Sequence, residues 1–235
     1  MLNYTYEYEK DVELPTKTSV TALKTLRSNK NAKIQELDID PISEKYAYEE
    51  YDISKRKVPS FAQDKKLSGA RRGTIVHLIL SKITNEQSLN EVSNLIEKLV
   101  ARNAITEEEK SLIDMKIIEN YLNSKLYNEI LQAKEVHRET PFYLNINSGE
   151  IYEGTNEPIL VQGVIDLYFI SKDDELVLID YKTDYIKENA EKELKEKYKS
   201  QLDLYKRALE KALKRKVDKA FIYSTSLNEC IVVEK

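Results

Sequence analysis

The chain has 235 residues, enough for one large domain or one domain with an appendage. Hydrophobic residues make up 41% and charged residues 33%, with a formal net charge of -4, so a real core lies under a very wet surface with no overall positive charge to draw nucleic acid. The single cysteine, Cys230, excludes an intrachain disulfide, a four-cysteine zinc site and a four-cysteine iron–sulfur cluster, and no apolar run reaches membrane-span length.

Residues 1–18 alternate tyrosine, glutamate and lysine before L-P-T-K-T-S, and read as an extended arm or tether from a longer parent chain; residues 19–235 form the domain proper. No basic-then-hydrophobic leader is visible, so a cytoplasmic location is expected. Thr18 or Ser19 can cap a short helix over V-T-A-L-K-T-L-R, in a locally basic stretch with Lys17, Lys24, Arg27, Lys30 and Lys33. From Asn31 to Lys66 the chain is polar, contains Pro41 and Pro59, and reads as loop with a short helical piece near 43–51. Residues 70–133 are expected to be mainly helical. The first helix opens near Ala70 and buries Ile75, Leu78, Ile79 and Ile83. His77 sits among them; alone, such a histidine is ordinarily a satisfied core residue. Gly73, one turn earlier, weakens a helix and makes sense where something packs closely. Two or three further helices fill 88–133, one opened by the capping-box pair Thr106 and Glu109, with Leu112 and Leu131 among the expected core residues.

The sheet is expected from Ala133 onward, with Arg138 and Glu139 at its start and Pro141 marking an irregular or edge strand. His137 receives no assignment. The stretch 162–184, QGVIDLYFISKDDELVLIDYKTD, then reads as two hydrophobic strands around an acidic turn. A hairpin centred on Asp173 places Asp166 opposite Asp180, while Asp180 and Lys182 share one face of their strand. Two carboxylates at cross-strand spacing repel unless a cation lies between them, and Mg²⁺ or Mn²⁺ suits such an oxygen site. Lys182 can then reach a water or a phosphate oxygen at the same place, as in metal-assisted phosphodiester cleavage. A solvated Asp180–Lys182 ion pair is the plain alternative, but both acids lie in largely apolar strands where an unpaired carboxylate is costly. A charged helix follows over 190–214, with Leu194, Tyr198, Tyr205 and Leu209 on its stripe; Gln201 and Tyr205 lie one turn apart, which ordinary packing also explains. Two strands close the chain, with Cys230 expected as a small core residue. The fold class is α/β, a mixed central sheet with helices on both faces.

The motifs G-T-I-V-H, R-E-T-P-F, G-V-I-D-L, D-Y-K-T-D and Q-L-D-L-Y, in that order, resemble the RecB-type branch of the PD-(D/E)XK nuclease superfamily. The combination is most similar to the C-terminal nuclease domain of the AddA subunit of bacterial AddAB helicase–nucleases, from about Thr16 onward. The resemblance implies a restriction-endonuclease-like core and a Mg²⁺-dependent DNA exonuclease, with Mn²⁺ able to substitute. It implies His77, Asp166, Asp180 and the backbone carbonyl of Tyr181 as metal ligands. Lys182 falls on the lysine that positions or activates the attacking water. Gln201 and Tyr205 fall on the helix motif that braces the site, and Glu139 takes an accessory place. Implied partners are DNA, as single-stranded ends delivered by a helicase, the helicase part of the parent chain, and an AddB-like subunit. No P-loop motif is present, so the motor lies elsewhere. A free-standing RecB-like nuclease of defence or mobile elements and a non-catalytic DNA-binding module are the alternatives.

Overall fold

The computed structural model describes residues 14–23, 69–84, 86–151, 155–186 and 189–234. The arm before residue 14, the basic residues Lys24, Arg27, Lys30 and Lys33, and the helical piece near 43–51 lie outside the described residues. In chain order the elements are β1 (Lys17–Ser19), α1 (Gly69–Lys82), α2 (Leu89–Ala101), α3 (Glu107–Ser111), α4 (Met115–Leu122), α5 (Lys125–Leu131), β2 (Glu135–Asn147), β3 (Pro158–Ile170), β4 (Leu176–Lys182), α6 (Ala190–Leu213), β5 (Lys219–Ser224) and β6 (Glu229–Glu234). The strands pair in the order β1-β3-β4-β5-β6, with β2 also on β3, in a mixed sheet. This is the expected α/β arrangement of the restriction-endonuclease-like core, with a helical region between β1 and β2 and α6 between β4 and β5 in the chain. Among the described residues no helix is long and apolar enough to cross a membrane.

Two units are distinguishable, and β2, β3 and α6 each run through both. The larger takes the described parts of 50–140, 165–202 and 216–235. Its core joins Ile75, Ile79 and Leu80 of α1 and Ile83 just after it to Val92, Ile96, Ile118, Tyr121, Leu126 and Ile130 of the following helices, and to Leu167, Phe169, Val177, Ile179 and Tyr181 of the hairpin. The helix boundaries follow from side chains that satisfy free N–H groups: Ser88 with Glu91 and Thr106 with Glu109 form capping boxes, and Asp114 and Ser124 cap the next two helices. Leu112 and Leu131, expected in the core, are exposed, because each stands at the end of a short helix whose other face is buried.

The smaller unit takes the described parts of 1–49, 141–164 and 203–215. Here Lys17–Ser19, which spans the last two residues of the expected arm and the first of the expected domain, is a strand that pairs parallel with β3, Lys17 against Leu160. Ser19 Oγ accepts the Ala22 N–H (3.1 Å), so the capping role read for it is present at the helix that begins at Val20. The Phe142 ring packs edge-on to Tyr205 (5.5 Å between centroids). Gly163 leaves room for that ring, since a Cβ there would stand 2.8 Å from Phe142.

Candidate active site

The β3–β4 hairpin is set by its turn. Ser171 N–H donates to the Glu175 carbonyl (2.8 Å), while Ser171 Oγ accepts the N–H groups of Asp173 and Glu175. Asp174 adopts the left-handed conformation (φ 64), which Asp tolerates better than most residues. This turn fixes the register: Leu167 pairs with Ile179, Tyr168 with Leu178, Phe169 with Val177 and Ile170 with Leu176. The pairing is the one expected from a hairpin centred on Asp173. One step beyond the last pair stand Asp166 and Asp180. β4 lies between β3 and a parallel β5, so it is covered on both edges and buried along its length. Asp180 is therefore fully buried (0% exposed).

Asp166 Oδ2 accepts the Tyr181 N–H (2.8 Å) and lies 3.5 Å from His77 Nδ1. Burial opposes the charge on Asp166, but the His77 imidazole, Lys182 and the Tyr181 N–H outweigh it and hold the carboxyl below its usual range. The same pairing overcomes burial at His77 and raises the imidazole. The opposite holds at Asp180. Burial lifts its carboxyl to about 6 although Lys182 pulls the other way, and the Asp166 charge adds to the rise. Glu139 is near enough to feel this pair. Its carboxyl is raised to about 7 by burial first and the Asp166 charge second, against the pull of His77 and Lys82. Its backbone is also left-handed (φ 48) inside β2, an uncommon state for glutamate that breaks the strand's alternation beside Pro141. His137, two residues earlier, stacks on Tyr168 (4.5 Å, 10° between planes) and pairs with Glu135.

The Lys182 ammonium lies 2.7 Å from Asp180 Oδ2, a charge-assisted contact, and this buried oxygen has no other hydrogen-bond donor among the described residues. Gln201 Nε2 reaches Asp180 Oδ1 at 3.5 Å, the long limit for such a bond. Two residues not singled out from the sequence complete the surroundings. The Tyr198 ring lies under the Lys182 ammonium (4.5 Å to the centroid), and its hydroxyl donates to Asp184 Oδ2 (2.7 Å). Asp184 Oδ1 accepts the Lys197 ammonium. Burial raises the Asp184 carboxyl less than the Lys197 and Tyr198 bonds lower it, so it stays ionised. Tyr198 was legible only as a stripe residue of the helix; the aromatic amid Leu194 and Leu202 gave no sign of its hydroxyl's partner.

Of the eight residues read from sequence, His77, Glu139, Asp166, Asp180, Tyr181, Lys182 and Gln201 fall together in the larger unit. Tyr205 belongs to the smaller unit, where it meets Phe142. The Tyr181 side chain points into the core, its hydroxyl 3.0 Å from that of Tyr121, with Tyr223 edge-on to both rings. Gly73 makes the close approach anticipated for it: a Cβ there would stand 2.7 Å from Thr183 Oγ1, so α1 lies directly against the end of β4. Cys230, expected in the core, is exposed on β6, which has a sheet neighbour on one side only.

A hard divalent cation fits this donor set. Asp180 Oδ2 is a buried oxygen with no donor among the described residues beyond the Lys182 ammonium, beside a second carboxylate held ionised and an imidazole. Among the described residues, no three His, Cys, Asp or Glu side chains are already drawn into ligating geometry. Mg²⁺ commonly needs only one or two carboxylates and keeps several waters, which matches what Asp166 and Asp180 offer.

The profile of the PD-(D/E)XK nuclease superfamily matches residues 45–230. The chain belongs to the PD-(D/E)XK nuclease superfamily. Members of this superfamily are generally Mg²⁺-dependent, in keeping with the donor set. The chain is 39% identical over 230 residues to an ATP-dependent helicase/nuclease subunit of Thermoanaerobacter sp. (strain X514), covering 94% of this chain and 18% of that protein. It is 35% identical over 231 residues to the subunit of the same name from Clostridium novyi (strain NT), and 33% over 244 residues to that of Clostridium acetobutylicum, again covering 18% of each. This PD-(D/E)XK domain is thus homologous to a part of those helicase/nuclease subunits and spans about a fifth of their length.

Proposed function

We propose that the chain is a divalent-metal-dependent exonuclease domain that hydrolyses DNA phosphodiester bonds, and that it serves as the C-terminal nuclease part of an ATP-dependent helicase–nuclease. The observation that carries this reading is Asp180. Its fully buried carboxylate has an oxygen whose one close donor among the described residues is the Lys182 ammonium, feels the charge of the His77-paired Asp166, and lies in a chain of a nuclease superfamily.

Asp166 and Asp180 are the carboxylate ligands for Mg²⁺ or Mn²⁺, with His77 and the Tyr181 carbonyl as further donors. The bound cation supplies Lewis acidity to the scissile phosphate and to an attacking water. The Lys182 ammonium orients that water or a phosphate oxygen, and its charge favours the more negative transition state over the bound substrate. Gln201 steadies the Asp180 carboxylate, Glu139 receives a proton near neutral pH, and Tyr205 contributes from the DNA-facing helix. The relatives' name, helicase/nuclease subunit, supports a motor on the same parent chain; to this the reading adds single-stranded DNA ends as substrate, an AddB-like partner, double-strand break processing before recombination, and a cytoplasmic location.

The decisive test is degradation of end-labelled single-stranded DNA with Mg²⁺ or Mn²⁺, beside EDTA and Asp180→Ala. Cleavage is expected only in the metal-supplemented wild type, with the variant slower by roughly 100-fold or more. A folded wild-type chain that stays inert with either metal overturns the catalytic assignment.

A further inference from the structure

Lys182 has two partners of different kinds. One is the Asp180 carboxylate at 2.7 Å; the other is the face of Tyr198 at 4.5 Å. The first is also the oxygen that a divalent cation would claim. An ammonium held only by Asp180 would lose that partner when the carboxylate's charge is engaged elsewhere, and lysine is a flexible, strongly hydrated side chain. The ring face does not compete for the same oxygen, since its attraction comes from the aromatic quadrupole.

The ring is itself fixed. Tyr198 is only 6% exposed, and its hydroxyl donates to Asp184 Oδ2. Asp184 is held in turn by Lys197, while its backbone carbonyl accepts the Ser226 hydroxyl (2.8 Å). The segment after β4 is further tied by the Thr225 N–H to the Lys182 carbonyl (2.9 Å). Leu194 and Leu202, one turn to either side of Tyr198 on α6, fill the same buried stripe without a polar atom. Packing alone therefore does not call for a hydroxyl there.

We propose that Tyr198 is a positioning residue: its ring, anchored through its hydroxyl to Asp184, keeps the Lys182 ammonium at the paired carboxylates when Asp180 gives its charge to another partner. The catalytic consequence rests on the nuclease assignment; the clamp itself does not. The ring acts by setting where Lys182 stands.

The test uses the whole chain with Tyr198→Phe, which keeps the ring, and Tyr198→Leu, which keeps apolar bulk only. In EDTA, the rate at which an amine-directed acetylating reagent modifies Lys182 is followed by peptide mass spectrometry, with exposed Lys192 as internal reference. Tyr198→Leu should raise the Lys182 rate by roughly 2- to 30-fold, the range expected for loss of a largely buried cation–π contact, while Tyr198→Phe, which keeps the ring but loses its anchor to Asp184, should give a smaller rise lying between wild type and Tyr198→Leu. With Mg²⁺ and single-stranded DNA, Tyr198→Leu should lower kcat by a similar factor and leave KM within about two-fold. A folded Tyr198→Leu with wild-type Lys182 reactivity overturns the clamp, as does a Tyr198→Phe rate equal to that of Tyr198→Leu. If Tyr198→Leu proves unfolded, Tyr198→Met carries the same comparison. A wild type that never cleaves DNA, yet shows the reactivity difference, upholds the clamp and rejects the nuclease assignment.

Discussion

Gly73→Ala sets two known effects against each other at one atom. Gly73 lies inside α1, where glycine costs about 1 kcal/mol relative to alanine, so on helix propensity alone the change stabilises. The added Cβ would stand 2.7 Å from Thr183 Oγ1, about 0.7 Å inside ordinary contact. Relieving such overlap in a packed site typically costs about 1–3 kcal/mol. The expected net is a loss of roughly 0–2 kcal/mol, read as a lower urea midpoint at unchanged slope. Thr183→Ala removes the obstructing oxygen. In that background Gly73→Ala should stabilise by about 1 kcal/mol, the full propensity gain, so the cycle isolates the contact. His77 is one turn along the same helix, and the single variant should also cleave DNA more slowly than the double. A Gly73→Ala protein more stable than wild type would show that Thr183 swings aside freely, and would refute the idea that this glycine sets the distance between α1 and β4.

Three further outcomes follow from the same site and core. The native chain holds the Asp180 proton up to about 6 and the Glu139 proton up to about 7, whereas the unfolded chain releases both nearer pH 4; metal-free stability should therefore fall as pH rises through 4–7, and Mg²⁺ at a fixed concentration about 100 times its Kd at pH 8 should raise Tm by roughly 5–10 °C at that pH but less at pH 5. Equal Mg²⁺ shifts at both pH values, or a shift that survives in Asp180→Asn, would contradict this. Tyr121→Phe orphans the buried Tyr181 hydroxyl and should cost about 1–3 kcal/mol in chemical denaturation, while adding Tyr181→Phe recovers part of the loss; additive losses would count against the hydroxyl pair. Glu139→Gly relieves the left-handed backbone and removes a desolvated carboxyl, so it should raise stability by about 1 kcal/mol and still lower cleavage; a destabilised variant would mean that the glutamate side chain contributes more to packing than its backbone costs.

The hairpin was legible because two signals agree: a polar five-residue turn fixes the centre, and an apolar run of strand-forming residues stands on each side of it, so the register of Leu167 with Ile179 follows from counting. The capping residues Ser19 and Thr106 were readable for a similar reason, since a cap is a local event within three residues. Tyr198 and Asp184 were not, because what they do depends on α6 lying beside the end of β4, and no spacing along the chain encodes that. Glu139 shows a different limit. Pro141 hinted at irregularity, but a positive φ at a glutamate is imposed by tertiary surroundings rather than by local preference. Cys230 misled for a general reason: an apolar run marks a strand without saying whether that strand has a neighbour on its far side.

The position of β4 has a consequence for how the molecule is made. Its partner on one edge, β3, is the other arm of a tight hairpin, and such pairs form within about 1–10 μs. Its partner on the other edge, β5, pairs in parallel from Val177 with Lys219, some 42 residues along the chain and beyond α6. Closing that long connection is the slower event. During synthesis the carboxylate of Asp180 is thus displayed on an open strand edge until residues 219–224 have been made and docked. A ribosome-stalled chain ending before Lys219 should leave the β5-facing backbone amides of Leu178, Asp180 and Lys182 open to hydrogen exchange, and the charge-bearing end of the hairpin would be the last part of the sheet to be sealed from water.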